Sequence, residues 1–214
     1  MTETKPEQAN ILRSAPIPIT TPRLILRPPQ SGDGAELTCA VQETWDSLNQ
    51  WMPWAADQDA ATEDFYEGWV REEAALFLRR DNLGFLAFDR DTGRLIGSTG
   101  LHRIDWSLGN FEIGYWVRQD EQGQGYATEI ANALTRYAFQ ALNARTVLIG
   151  HSEGNNKSRS VIQRLGFTSS GFMPNSTRLP AGDVVHDHIY FRTDITGLAD
   201  LDVSWPDEAN NNEQ

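Results

Sequence analysis

Cysteine is nearly missing from this 214-residue chain. Cys39 stands alone, so no disulfide can form within the chain and no cysteine-rich zinc site can assemble, and a reducing compartment fits best. A single thiol of this kind is expected as a small buried hydrophobe. Long apolar runs are missing too. No stretch reaches the roughly eighteen residues that mark a membrane-spanning helix, and residues 1–10 are polar where a secretory leader would carry a basic and then an apolar segment. A cytoplasmic location with no membrane partner is the expectation. Positive charge is scarce: 18 Lys and Arg face 30 Asp and Glu, giving a net charge of −12. Such a chain repels a phosphate backbone and attracts cations, which argues against nucleic acid and for an amine as partner.

What is present suits one globular α/β domain. With 39% hydrophobic residues a core can form, and the length leaves little room for two domains. The domain is expected over residues 17–193, with mobile polar ends at 1–16 and 197–214. Residues 23–27 alternate like a strand until Pro28 and Pro29 stop it. Ser31 and Asp33 are placed to cap a helix over 34–43, and 59–80 reads as a longer helix. Apolar, β-branched and aromatic runs at 83–88, 94–104 and 110–118, separated by turn residues, predict three antiparallel strands. In 124–142 the residues Ala127, Ile130, Ala131, Leu134, Ala138, Ala141 and Leu142 recur at helical spacing. A strand at 146–150, a helix at 156–165 and runs near 167–173 and 184–192 complete a mixed sheet.

The most informative stretch is Gln122-Gly123-Gln124-Gly125-Tyr126-Ala127, between a predicted strand and a predicted helix. Glycines at a helix entrance let backbone N–H groups turn inward and hold a phosphate at the positive end of the helix dipole. A dinucleotide fingerprint needs a third small residue where Thr128 stands, and a Walker loop needs Lys where Tyr126 stands. Both fail. A bare turn without ligand stays open on the loop alone.

The loop has company. Glu112-Ile113-Gly114-Tyr115-Trp116-Val117 precedes it, and Asn155-Asn156-Lys157-Ser158 and Arg164-Leu165-Gly166-Phe167 follow it. In that order these segments resemble the coenzyme A half of the GNAT N-acetyltransferase superfamily. Upstream, residues 21–27, Trp51-Met52-Pro53-Trp54 and Gly100-Leu101-His102-Arg103-Ile104-Asp105 resemble its RimJ/RimL-like branch, which acetylates ribosomal-protein N-termini. The resemblance covers about residues 17–193.

It implies a GNAT fold with a splayed central sheet and acetyl-CoA as cosubstrate, with no metal. Tyr115, Trp116 and Val117 would lie along the pantetheine arm. The amides of Gln122, Gly123, Gln124, Gly125, Tyr126 and Ala127 would hold the pyrophosphate, Thr128 would add a hydroxyl, and Asn155 would bond the pantetheine. The acceptor would be a primary amine, by branch the N-terminal α-amino group of a protein or peptide. A small-molecule amine and a non-catalytic acyl-CoA-binding module are the rival readings; a homodimer is compatible with any of them.

Transfer to an amine needs a proton acceptor and a proton for the departing thiolate. Glu112 is the candidate base, against an ordinary solvated charge. The tyrosine that the superfamily commonly places seven residues after the Asn is absent, since that position is Ile162, so Ser158 is the candidate acid, against a plain helix N-cap. Trp45, Trp51 and Trp54 fall where the branch builds its acceptor cleft. Trp51 and Trp54 are expected to bind substrate, an ammonium over their rings gaining about 0.5–2 kcal/mol, and all three could equally be core. His186-Asp187-His188 puts two imidazoles on one face of a strand with no further ligand evident, which favours a structural or rim role over metal.

Overall fold

The structure, a computed structural model, describes residues 10–206. In chain order it contains β1 (Ile19–Thr20), β2 (Leu24–Arg27), α1 (Gly34–Glu43), α2 (Trp45–Trp51), α3 (Glu63–Arg79), β3 (Leu83–Asp89), β4 (Leu95–Asp105) and β5 (Asn110–Val117). These are followed by α4 (Tyr126–Gln140), β6 (Thr146–Ser152), α5 (Asn156–Arg164), β7 (Thr168–Arg178) and β8 (Val184–Arg192). The eight strands form one sheet in the order β1-β2-β3-β4-β5-β6-β8-β7. Among the described residues only β5 and β6 run parallel, because α4 carries the chain across between them.

Helices cover both faces. On one side, α4 and α5 press Ile130, Leu134, Tyr137 and Ile162 onto Phe85, Phe111 and Ile149 of the sheet. The helical period expected over 124–142 is therefore the buried face of α4. On the other side, α1, α2 and α3 bring Leu37, Val41, Leu48 and Val70 onto Leu86 and Leu95. No helix among the described residues is long and apolar enough to cross a membrane.

Several local expectations change once the chain is folded. Asp33 does not cap α1 with its side chain; its carboxylate is taken by Arg27 through two 2.7 Å contacts. Glu67 of α3 reaches over instead and accepts from the N–H groups of Gly32 and Gly34. α3 starts later than expected, with Thr62 as the cap that accepts from Phe65 N–H. Cys39 is exposed, on the outer face of α1, rather than a buried hydrophobe, because Leu37, Ala40 and Val41 take the inward positions.

Where the structure describes them, the two ends pack against the domain. Ala15 is buried, and Arg13 lies over the Trp106 ring. Beyond residue 197, Leu198 is buried, Ser204 exchanges backbone hydrogen bonds with Thr20, and Trp205 meets Tyr137 edge-on at 5.4 Å. A polar composition hid two apolar anchors, Leu198 and Trp205, in that tail. Residues 1–9 and 207–214, the rest of the expected mobile ends, lie outside the described residues.

Candidate active site

The site begins where the sheet opens. β5 and β6 pair from Asn110 with Thr146 to Ile113 with Ile149 and no further. Beyond that point β5 stays paired to β4, and β6 to β8, so each strand presents a bare edge to the gap. Gly114, Tyr115, Trp116 and Val117 line one edge, and Gly150, His151 and Ser152 the other. A cleft of about 610 Å³ fills the split and extends over the α1–α3 face.

At the end of β5 the glycine loop turns into α4. Gly123 and Gly125 have φ of 80° and 88°, which a side chain at either position would strain, and a Cβ at Gly123 would meet no atom within 4 Å. Gly125 caps α4, and no acceptor among the described residues faces the N–H groups of 123–128. These donors and the helix dipole can serve an anion.

Residues that sequence reading had passed over hold the cradle in shape. Arg23 donates to Gln124 O at 3.1 Å and to Glu129 at 2.7 Å, and stacks 4.1 Å from the centre of the Tyr126 ring. Glu129, buried in the first turn of α4, also accepts from Thr21 Oγ1 at 2.6 Å. A carboxylate there complements the dipole as well as Arg23. Gln122 donates to Val117 O and accepts from Lys157 Nζ, tying the loop to β5 and α5. Tyr126 turns its ring into the core, so it serves the loop by its backbone. Thr128, one turn into α4, is half-buried.

Ser158 is not a helix cap. Asn155 fills that role, accepting from Ser158 N–H at 3.1 Å, because α5 starts one residue after it. The Ser158 hydroxyl is left to meet the Tyr115 hydroxyl at 3.1 Å. Burial pushes the Tyr115 phenol up to about 12. A tyrosine hydroxyl thus reaches the start of α5 from β5. Nothing in the spacing of the sequence pairs residues 43 positions apart on different elements.

The opposite wall belongs to the α1–α3 face. Glu112 stands there, its Oε1 engaged by Arg103 Nη1 at 2.5 Å. Beside it His102 donates or accepts at Nδ1 with Asn82 Oδ1, 2.7 Å away, and Asn82 Nδ2 donates to Glu73 at 2.6 Å. Burial raises the Glu73 carboxyl and lowers the His102 imidazole from their ordinary values. Asp187 of β8 closes the far side, accepting from Ser152, Ser176 and Thr177.

The three tryptophans part company. Trp45 packs into the second core. Trp51 lines the cleft, its ring edge 3.4 Å from where a Cβ on Gly154 would sit, and Trp54 lines its rim at 52% exposure. His186 and His188 point to one side, both near Phe172, and His188 stacks on His151. No group of three or more His, Cys, Asp or Glu among the described residues could hold a metal ion.

A family model for the acetyltransferase (GNAT) domain matches residues 23–168. A Bacillus subtilis (strain 168) protein, "Putative ribosomal N-acetyltransferase YdaF", is 31% identical over 170 residues, 78% of this chain and 87% of its own. The Escherichia coli (strain K12) ribosomal-protein-serine acetyltransferase is 30% identical over 136 residues, 64% of this chain and 72% of its own. Among solved structures, the RimL ribosomal L7/L12 alpha-N-protein acetyltransferase in complex with coenzyme A superposes with a TM-score of 0.75 at 23% identity, covering 82% of this chain and 96% of that one. The microcin C7 self-immunity acetyltransferase MccE in complex with acetyl-CoA and AMP also gives 0.75, at 20% identity, covering 81% and 93%. The chain belongs to the GNAT family and is an acetyl-CoA-dependent N-acetyltransferase.

Proposed function

We propose that this GNAT acetyltransferase acetylates the N-terminal α-amino group of a protein or peptide in the cytoplasm. The observation that carries this reading is the acceptor half of the cleft. Its charged lining residues are three carboxylates, Glu73, Glu112 and Asp187, against the single guanidinium of Arg103, and Trp51, Trp54, Phe65 and Trp69 add aromatic faces. Carboxylates and ring faces both attract an ammonium group. The rim is open at Trp54, which leaves room for a chain to continue out of the site. The ribosomal-protein acetyltransferases among the relatives point to the same kind of acceptor.

Bound acetyl-CoA supplies an acetyl thioester. The amides of residues 123–128 hold its phosphates, and the bare edges of β5 and β6 offer N–H and C=O groups to its amide-bearing arm. The Ser158 and Tyr115 hydroxyls, on the α4–α5 side of the split, are placed to deliver a proton to sulfur. Asn155 positions Ser158 by capping the helix that carries it.

Thiol release with a panel of acceptors tests the reading. Peptides with a free α-amine should turn over, and the same peptides blocked at the N-terminus but carrying lysine should not. Turnover confined to polyamines, aminoglycosides or free amino acids would replace the protein acceptor with a small one. Tight acetyl-CoA binding without thiol release from any amine would leave a binding module.

A further inference from the structure

We propose that His102, rather than Glu112, takes the proton from the acceptor amine, and that Asn82 and Glu73 are positioning residues that hold its imidazole for the task. The inference rests on the acetyl-transfer reading above and goes beyond it by assigning the base.

The geometry is that of an oriented imidazole. Asn82 Nδ2 is 2.6 Å from a Glu73 carboxylate oxygen, so the amide's NH2 faces α3 and its Oδ1 faces the histidine. An oxygen acceptor at 2.7 Å requires the proton on Nδ1. Nε2 then carries the lone pair. That atom has no partner among the described residues, and a Cβ on Gly114 would lie 3.1 Å from it. Gly114 is the first residue of β5 past the last β5–β6 pair, where the split opens. The glycine leaves the imidazole access to the point at which the two strands part.

Glu112 lies across from His102 in the β4–β5 register, on the same face, yet its Oε1 is engaged by Arg103. The groups around the imidazole are thus Glu73 beyond Asn82, Glu112 on β5, and Arg103 on β4, which faces Asp187 of β8 in turn. Glu112 favours the imidazolium, and Arg103 and burial oppose it; burial is the largest effect and keeps the ring neutral near pH 7.

His102 stands on the acceptor side of the split and the Ser158–Tyr115 pair on the other, so base and acid flank the reacting atoms from opposite faces. The acceptor ammonium first loses one proton to solvent; as the neutral amine nitrogen then forms its bond to the acetyl carbon, the C–S bond breaks with its electron pair going to sulfur. The proton shed by nitrogen passes to His102 Nε2, and sulfur takes one from Ser158. The imidazolium returns its proton to solvent, and Ser158 regains one that solvent supplies through Tyr115.

His102→Asn keeps an amide donor for Asn82 and removes Nε2. It should lower kcat about 100-fold or more, while the calorimetric acetyl-CoA affinity stays within about twofold. Glu73→Gln should lower kcat less. Nitrogen-15 NMR of the ligand-free enzyme should show His102 as the Nδ1–H tautomer at neutral pH, with a protonation midpoint below the ordinary histidine value, and Glu73→Gln should disturb both. Turnover of folded His102→Asn within about fivefold of wild type, or an Nε2–H tautomer in the wild type, overturns the assignment. The NMR arm decides even where a variant does not fold. Wild-type thiol release separates the two readings: none with any amine ends the acetyl-transfer reading whatever the tautomer.

Discussion

The two halves of the cleft are built by different means. The coenzyme A half uses backbone: two glycines at positive φ, a helix N-terminus, and two strand edges left bare where pairing stops at Ile113. The loop, the β5 edge and the helix N-terminus are near neighbours in sequence, and Arg23 and Glu129 brace them. The acceptor half uses side chains from α2, α3, β4, β5 and β8, brought together from elements far apart in the chain. A site made of backbone tolerates change in its side chains but not in its glycines. A site made of converging side chains can alter its preferred acceptor one residue at a time while the fold and the cosubstrate stay put.

The sharpest way to break that contrast is at Gly123. Gly123→Asp adds a carboxylate in open space, so protein atoms need not move, and the variant should lose acetyl-CoA affinity by about 100-fold through charge and strained φ. Calorimetry reads the loss; unchanged affinity would remove the phosphate cradle from this loop. Next in size, Ser158→Ala and Tyr115→Phe should each lower kcat by about ten- to a hundredfold with little change in acetyl-CoA affinity. The double variant should cost little more than the worse single one, since the two hydroxyls act as one pair. Fully additive losses would mean separate roles.

On the acceptor side, Trp51→Ala should raise KM for a peptide by roughly two- to thirtyfold, the equivalent of about 0.5–2 kcal/mol of ring–ammonium attraction, and leave acetyl-CoA affinity alone. An equal loss of both affinities would show that the halves are not separable at the Trp51–Gly154 contact. Asn155→Ala should lower stability by about 1 kcal/mol in thermal unfolding, and Ser158→Ala should not, because the cap belongs to Asn155.

The smallest effect is a pH dependence of stability. Burial lowers the imidazoles of both His102 and His151 below the ordinary value of 6.5. The unfolded chain therefore binds more protons, so these two histidines favour the fold above about pH 6.5, and their contribution is lost as pH falls from there through the folded values. His102→Asn should make Tm fall less steeply over that interval, and an unchanged slope would place the His102 ring in water.

Legibility followed the same division. The glycine loop, the α4 period, the three-strand meander and the Asn155–Ser158 segment could be read in place, because each is a pattern within a few residues of itself. Two tryptophans of the three expected near the acceptor do line the cleft, and composition could not say that Trp45 would turn into the core. Ser158 was visible as a candidate, but its freedom from capping depended on where α5 starts, and helix starts shift by a residue or two with little cost. Tyr115 was expected along the pantetheine arm, and only the folded chain brings its hydroxyl to Ser158.

The sequence by itself determined a mixed α/β domain with a glycine-rich turn at the entrance of a helix, since helix period, strand alternation and the φ freedom of glycine are properties of short stretches of chain. Tertiary structure alone decided that the sheet splits after Ile113, and that Tyr115 meets Ser158 on one side of the split while Glu73, Asn82 and His102 line up on the other. It also decided that the polar tail folds back to seat Trp205 on Tyr137. Those contacts depend on the register of strands against strands and of helices against the sheet. Register is fixed by how two whole cores fill at once, and no local pattern in the chain encodes that sum.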